Sequence, residues 1–271
     1  MERVGLIGAG AIGLGFVERL RLAGIVPTVY DVDPAARDRA CEAGARIATS
    51  AAAAARAATI IDVVVRTDQD VLDCMLAADG ILAGAAADTL VLLHSTIHPD
   101  TTRQVAATAA ERAVHVLDAC MVGVPDKARA GEEIFLLGGP DDLVERARRH
   151  LLLLGSEVVH FGPLTSGNVA KIVKNSLTGV QTLMVAEASR FAAAGGLSES
   201  AFDELLHLFR RTPPAPRAAS VATSNPRGGQ NMFGKDLPLA AQLAGELGLD
   251  LPLTQHAAEV GLSRLEQEKG G

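Results

Sequence analysis

Along the first 160 residues, short apolar runs alternate with stretches in which apolar side chains recur every three or four positions. Strand-like runs fall at 4–8, 27–31, 46–48, 59–65, 89–94, 114–118, 133–137 and 157–161. Several are unbroken Val, Ile and Leu, as expected of parallel strands buried on both faces. Helical stretches lie between them. The one at 34–43 has Asp33 placed to cap it and Pro34 in its first turn. The alanine-rich segment 50–58 combines high helix propensity with side chains small enough to let a helix approach a sheet closely. Alternation of this kind predicts an α/β fold built on a doubly wound sheet.

The pattern changes at Gly162. From 166 to 194 there is no proline, and Val169, Ile172, Val173, Leu177, Val180, Leu183, Met184 and Phe191 keep a helical period. This predicts one helix of about 29 residues, roughly 43 Å long, ended by Gly195-Gly196. Helices follow at 199–210, 237–247 and 253–268, separated by a proline-rich break at 212–216 and an irregular stretch at 224–234. The expected division is a sheet domain at 1–162 and an all-α domain at 163–271 that begins with the long helix. Such a helix has more apolar face than one small sheet domain covers, so a homodimer or homotetramer is expected.

The turn after the first strand reads Gly8-Ala9-Gly10-Ala11-Ile12-Gly13, and Asp31 closes the second strand eighteen positions later. Glycines at a strand-to-helix turn let the backbone approach a pyrophosphate, whose charge then faces the helix N-terminus. A carboxylate at the end of the second strand can accept hydrogen bonds from an adenosine ribose. With strand, helix and downstream acid all in place, the segment reads as a dinucleotide site and the sheet as Rossmann-type.

Composition narrows this further. A net charge of −7 gives no basic face for nucleic acid. No apolar run reaches the roughly 20 residues needed to span a bilayer, and no basic-plus-apolar leader precedes the first strand, so no membrane partner and a cytoplasmic location are expected. Cys41, Cys74 and Cys120 are scattered and read as small buried residues, and nothing requires a metal.

A cofactor fold with a helical second domain should hold a small-molecule substrate beyond the carboxyl ends of its strands. Three segments point there. In His94-Ser95-Thr96-Ile97-His98-Pro99, the hydroxyls either hold a nicotinamide or substrate oxygen or cap the helix beginning near Pro99. The stretch from Asp118 to Pro125 follows another strand, and Gly162 to Gly167 leads into Lys171, Lys174 and Asn175. Lys171 and Asn175 share one helix face. Burial and a helix N-terminus both lower a lysine's pKa, which suits proton exchange with a carbonyl or alcohol. On the residues alone, however, Lys171 reads first as a solvated lysine.

These segments together resemble the β-hydroxyacid dehydrogenase family, which includes 3-hydroxyisobutyrate dehydrogenase and tartronate semialdehyde reductase and shares its fold with 6-phosphogluconate dehydrogenase. The similarity runs from Val4 to about Ala258. It rests on the glycine fingerprint, Ser95-Thr96-Ile97, the Asp118 segment, Gly162 to Asn175, and Phe233-Gly234-Lys235-Asp236-Leu237. The resemblance reverses the reading of Lys171: it implies a catalytic acid/base, with Asn175 orienting the substrate beside it. It further implies that Thr96 meets the nicotinamide region, Val65 and Arg66 line the adenosine side, Lys235 reaches the cofactor–substrate cleft, and Asp236 caps the next helix. Asp31-Val32-Asp33 replaces the Asn-Arg-Ser/Thr-like sequence of NADP users, so NAD is expected over NADP.

One segment departs from the family. Where relatives carry Ser-Gly-Gly to grip the substrate carboxylate, this chain has Val122-Gly123-Val124, and Cys120 replaces a proline. The glycine usual at Thr165 is also missing. The expected function is hydride transfer between NAD(H) and a small hydroxy acid or its semialdehyde, with Ser95, the 122–124 loop, Lys171 and Asn175 around the substrate. The rivals are a family reductase acting on a C=N bond or a less polar carbonyl, and a dinucleotide-binding sensor without turnover.

Overall fold

The computed structural model of the chain describes residues 2–56, 58–211 and 235–269. The breaks expected at 212–216 and 224–234, with Phe233 and Gly234, lie outside the described residues. The chain forms two compact units, Met1–Asn175 and Ser176–Gly271.

The first unit is built on one eight-stranded sheet. Its strands are β1 (Val4–Ile7), β2 (Thr28–Tyr30), β3 (Arg46–Ile47), β4 (Ile60–Val63), β5 (Leu90–Leu93), β6 (His115–Val122), β7 (Glu133–Gly138) and β8 (Gly155–His160). They lie in the order β3-β2-β1-β4-β5-β6-β7-β8. β1, β4 and β5 are buried at every position, which is why their sequences do not alternate.

Each face of the sheet carries its own core. One is filled from α1 (Ala11–Leu22), α2 (Pro34–Glu42), α7 (Pro125–Ala130) and α8 (Asp141–Leu154), with Phe16, Leu20 and Leu151 fully buried. The other is filled from α3 (Ala51–Ala55), α4 (Asp68–Leu76), α5 (Ile81–Gly84) and α6 (Pro99–Ala110), with Met75, Ile81 and Val105 fully buried. The α/β layering expected from the alternating pattern is therefore present. As expected, Asp33 caps α2 by accepting from the Ala35 N–H at 3.0 Å, with Pro34 in the first turn.

Two local expectations change. β6 runs on through Ala119, Cys120, Met121 and Val122, which the sequence placed in a loop after a strand. Those residues pair antiparallel with β7, from Asp118 opposite Gly138 to Val122 opposite Ile134. The short helix α7 is all that joins β6 to β7, too little for the crossover that a parallel pair requires. Cys41 is also exposed and Cys74 half-buried, leaving only Cys120 in the core. On α2 the inward positions belong to Ala36 and Ala40, which turns Cys41 outward.

The helices of the remainder are α9 (Ser166–Ala194), which crosses the division, α10 (Glu199–Arg211), α11 (Leu237–Glu246) and α12 (Pro252–Lys269). The 29-residue helix is present, and Gly196, with φ +86°, turns the chain out of it. Within the second unit, Glu187 accepts from the Leu253 and Thr254 N–H groups at 2.8 and 3.1 Å, capping α12 from a distant part of the sequence.

Candidate active site

Strand order reverses between β1 and β4, so the loops after these strands flank the crevice where open α/β sheets bind ligands. After β1, Gly8 has φ +95°, and a Cβ there would stand 2.2 Å from the Val64 carbonyl oxygen beyond β4. Only glycine allows the two loops to approach so closely. At Gly10 a Cβ would meet nothing within 4 Å among the described residues, which leaves space over the turn. The Leu14 N–H to the Gly10 carbonyl is an early bond of α1, so the first-turn amides from Ala11 to Gly13 have no carbonyl partner within the helix and can donate to an anion. These features fit a dinucleotide pyrophosphate. Asp31 lies where the ribose carboxylate is expected, yet it also shapes the turn. Its Oδ2 accepts from the Ala9 N–H at 2.6 Å and its Oδ1 from the Asp33 N–H at 2.8 Å. Ala9 is buried, Gly10 and Ala11 are exposed, and Ile12 and Gly13 turn back toward the core.

Val65 and Ser95 are brought together, since Ser95 Oγ donates to the Val65 carbonyl at 2.7 Å. Ser95 is buried, while Thr96 and Arg66 face solvent. Neither hydroxyl caps α6. That position belongs to His98, whose Nδ1 accepts from the Asp100 N–H at 3.2 Å, so the capping alternative for Ser95 and Thr96 falls away.

The start of α9 is fixed from β6. Asp118 is fully buried, and its two oxygens accept from the Thr165 N–H at 2.7 Å and the Asn168 N–H at 2.8 Å. Burial raises the proton affinity of Asp118, and these donors oppose that. Cβ atoms at Gly138 or Gly167 would stand within 2.8 Å of its carboxylate, so glycine at both positions gives it room. Asn168 is a residue that sequence reasoning missed. It accepts from Thr102 Oγ at 2.8 Å and donates to Cys120 Sγ at 3.4 Å, locking α9 to α6 and β6. Its signal was a polar side chain three positions before Lys171, on the same helix face. Thr165 sits at φ +81°, the left-handed conformation for which the family's glycine is suited.

One turn beyond this clamp, half-buried Lys171 donates from Nζ to the Met121 carbonyl, which places its ammonium at the peptide joining Met121 to Val122. Burial lowers its pKa first and the charge of Lys174 next, while Cys120 and Glu133 oppose the shift. Asn175, a further turn on, is exposed. Gly123 and Val124 are exposed as well, so the loop that replaces Ser-Gly-Gly is open on one side.

A second buried cluster has no counterpart in the sequence reading. Asp62 Oδ1 and Oδ2 meet His94 Nε2 at 2.9 Å and His150 Nε2 at 2.8 Å, and His94 Nδ1 donates to the Ala119 carbonyl at 2.8 Å. Burial alone would raise the Asp62 pKa, but the two rings outweigh it and hold the carboxyl well below its ordinary range. The cluster ties β4, β5, β6 and α8 together beneath Ser95. Its three polar residues stand in segments that looked like ordinary strands and a helix, so only the fold brings them together.

Lys235 and Asp236 lie in the second unit. Asp236 makes no side-chain cap to α11, contrary to expectation, because its own backbone is already helical and its carboxylate instead pairs with Lys235 at 3.4 Å. Among the described residues, no group of three or more His, Cys, Asp or Glu could hold a metal ion, and no helix is long and apolar enough to cross a membrane.

The fold and the glycine turn define a dinucleotide-dependent oxidoreductase, and comparison with known proteins narrows the class. The family model for the NAD-binding domain of 6-phosphogluconate dehydrogenase matches residues 3–162. An NAD-dependent L-serine dehydrogenase of Pseudomonas aeruginosa is 33% identical, over 97% of this chain and 87% of its own length. A 3-hydroxyisobutyrate dehydrogenase of the same organism is 32% identical, over 93% and 89%. Among solved structures, the Mycobacterium tuberculosis 3-hydroxyisobutyrate dehydrogenase with L-serine aligns with a TM-score of 0.73 at 27% identity, covering 97% of this chain and 93% of that one. An imine reductase from Myxococcus stipitatus in complex with NAD+ aligns with a TM-score of 0.80 at 20% identity, over 98% and 94%, a likeness of fold. The chain belongs to the β-hydroxyacid dehydrogenase family. It is an NAD-dependent dehydrogenase or reductase, which sets aside the sensor without turnover.

Proposed function

We propose that the protein interconverts a small hydroxy acid and its carbonyl partner with NAD(H), with Lys171 as the proton donor and acceptor. Bound NAD would exchange a hydride with the substrate carbon. The residues of this chain do the rest. Gly8, Ala9, Gly10, Ala11, Ile12 and Gly13 hold the pyrophosphate, Asp31 the ribose, and Val65, Arg66 and Thr96 the remainder of the cofactor. Lys171 gives its proton to the carbonyl oxygen in reduction and takes one from the hydroxyl in oxidation. Asn175 and Ser95 orient the substrate against the 122–124 loop.

The observation that carries this reading is the half-buried Lys171 ammonium, held by the Met121 carbonyl beside that loop with its pKa lowered. In support, both relatives are named for small 3-hydroxy acids. A second reading, reduction of a C=N bond or a less polar carbonyl, rests on Val124, a branched apolar side chain that is 54% exposed at the position where the family resemblance implies a glycine. The residues along α9 from Val169 to Met184 named above are 39–60% exposed, and they form the face we assign to a homodimer or homotetramer. The three free thiols suit a reducing, cytoplasmic compartment.

The test is oxidation of NADH and NADPH by the purified protein against small semialdehydes, α-keto acids, neutral ketones and imines. Turnover of a semialdehyde acid with NADH supports the first reading. Turnover confined to uncharged carbonyls or imines overturns it in favour of the second.

A further inference from the structure

Glu133 opens β7 in the place where the chain leaves α7 and re-enters the sheet. It is fully buried, and among the described residues both of its carboxylate oxygens lack a hydrogen-bond partner. A buried polar group is normally hydrogen-bonded, so an orphaned carboxylate calls for a specific reason. Its position supplies one. A Cβ added to Gly123 would stand 2.2 Å from one oxygen and 2.3 Å from the other, so the carboxylate lies flat against the Gly123 backbone. Two residues back along the same stretch, Lys171 donates to the Met121 carbonyl. Two residues of strand span roughly 7 Å, so the carboxylate and the ammonium flank one short segment of backbone.

We propose that Glu133 is the resident counter-charge of Lys171, a positioning residue that keeps the lysine protonated and seated on the Met121 carbonyl until a substrate takes its proton. The inference rests on Lys171 being the proton-handling group.

The surroundings of the pair leave Glu133 as the effective anion. Lys171 is influenced by Lys174 on its own helix, by Cys120 on β6 and by Glu133 on β7. Burial pushes the Cys120 thiol up to about 12, so it is neutral at any working pH. Lys174 carries the same sign as Lys171 and opposes its protonation. Around Glu133, burial raises the carboxyl's proton affinity on balance, and Lys171 first, then His94 at the end of β5 and Lys127 on α7, limit that rise. A buried carboxylate and a half-buried ammonium are each costly alone, and each makes the other's charge tolerable. The same carboxylate lies against Gly123, in the middle of the 122–124 segment.

The test reads Lys171 directly. The chain has only five lysines, so 13C reductive methylation gives few signals, and Lys171→Arg identifies the one that belongs to Lys171. The full-length protein is titrated by 1H–13C spectra as the parent, Glu133→Gln and Glu133→Asp. The expected result is a Lys171 midpoint lowered by about one pH unit or more in Glu133→Gln, a tenfold change in the amine-to-ammonium ratio. Glu133→Asp should recover part of it, and the other lysines should stay in place. Glu133→Leu, which fills the buried position with an apolar side chain, must show the same fall and serves if the glutamine variant does not fold. A midpoint that moves by less than about 0.3 units in either variant, or a shift shared equally by all five lysines, overturns the proposal. The titration needs neither substrate nor cofactor. Its failure would leave the proposed reaction standing, and an absence of turnover on hydroxy acids would leave the pair standing.

Discussion

Replacing Asp118 tests whether the start of α9 is what places Lys171. The carboxylate accepts two buried backbone N–H groups, from Thr165 at 2.7 Å and Asn168 at 2.8 Å. Hydrogen bonds to a charged group contribute about 1.5–3 kcal/mol each. Asp118→Ala, which removes both acceptors, should therefore cost about 3–6 kcal/mol. Asp118→Asn is the sharper probe. It keeps one acceptor oxygen but turns an NH2 toward the second amide, so it should cost about 1.5–3 kcal/mol. For a chain of this size that corresponds to a melting point lowered by roughly 3–12 °C. Activity should fall more steeply than stability, because Lys171 stands one turn beyond the loosened amides and a 1 Å misplacement can cost about 100-fold in rate. NADH affinity should stay near the parent value, since the glycine turn after β1 is untouched. The assays are thermal melting, NADH fluorescence titration and turnover on the best substrate. An asparagine variant that melts within about 1 °C of the parent and turns over at the parent rate would refute the reasoning.

Four further outcomes follow from other contacts in the structure. Asp62→Ala leaves two buried imidazoles facing an empty site and should lower unfolding free energy by about 3–5 kcal/mol in denaturant. Because the folded Asp62 pKa lies below the ordinary value, its stabilisation is complete above about pH 4 and lost on further acidification. The stability difference between the parent and Asp62→Asn should therefore narrow from pH 5 to pH 2, and a constant difference would contradict the assignment. Thr165→Gly relieves a backbone held at φ +81° and should raise the denaturant midpoint, by about 1 kcal/mol in free energy; a loss of stability would show that the 3.4 Å Arg103 contact to Thr165 Oγ matters more. Asp31→Ala removes the acceptor for the Ala9 N–H together with the proposed ribose ligand, and should weaken NADH binding about 10- to 100-fold. Calorimetry showing unchanged affinity would remove Asp31 from the site.

The sheet was legible because its strands are buried on both faces and therefore leave continuous Val, Ile and Leu runs. The long helix was legible because nothing interrupts its period until Gly195. The strand character of Ala119 to Val122 was not, since it depends on pairing with β7, a partner that no local pattern announces. At the site, the glycine turn and Lys171 stood out through spacing and through resemblance to a family. Asn168, Asp62 and Glu133 did not. Asp62 and Glu133 are made conspicuous only by burial, a property of the fold, and Asn168 had only its spacing to Lys171 to mark it. Asp236 failed as a cap for the opposite reason: the motif was local, but its backbone is already helical and Lys235 takes its carboxylate.

The central claim is that Lys171 exchanges the substrate proton, and the pH dependence of turnover in both directions tests it most directly. Its pKa is depressed from the ordinary 10.5, so reduction, which needs the ammonium, should decline as pH rises through a midpoint below that value. Oxidation, which needs the free amine, should rise through the same midpoint, and Lys171→Ala should abolish both limbs while leaving NADH binding intact. Parent-like profiles in Lys171→Ala would contradict the account.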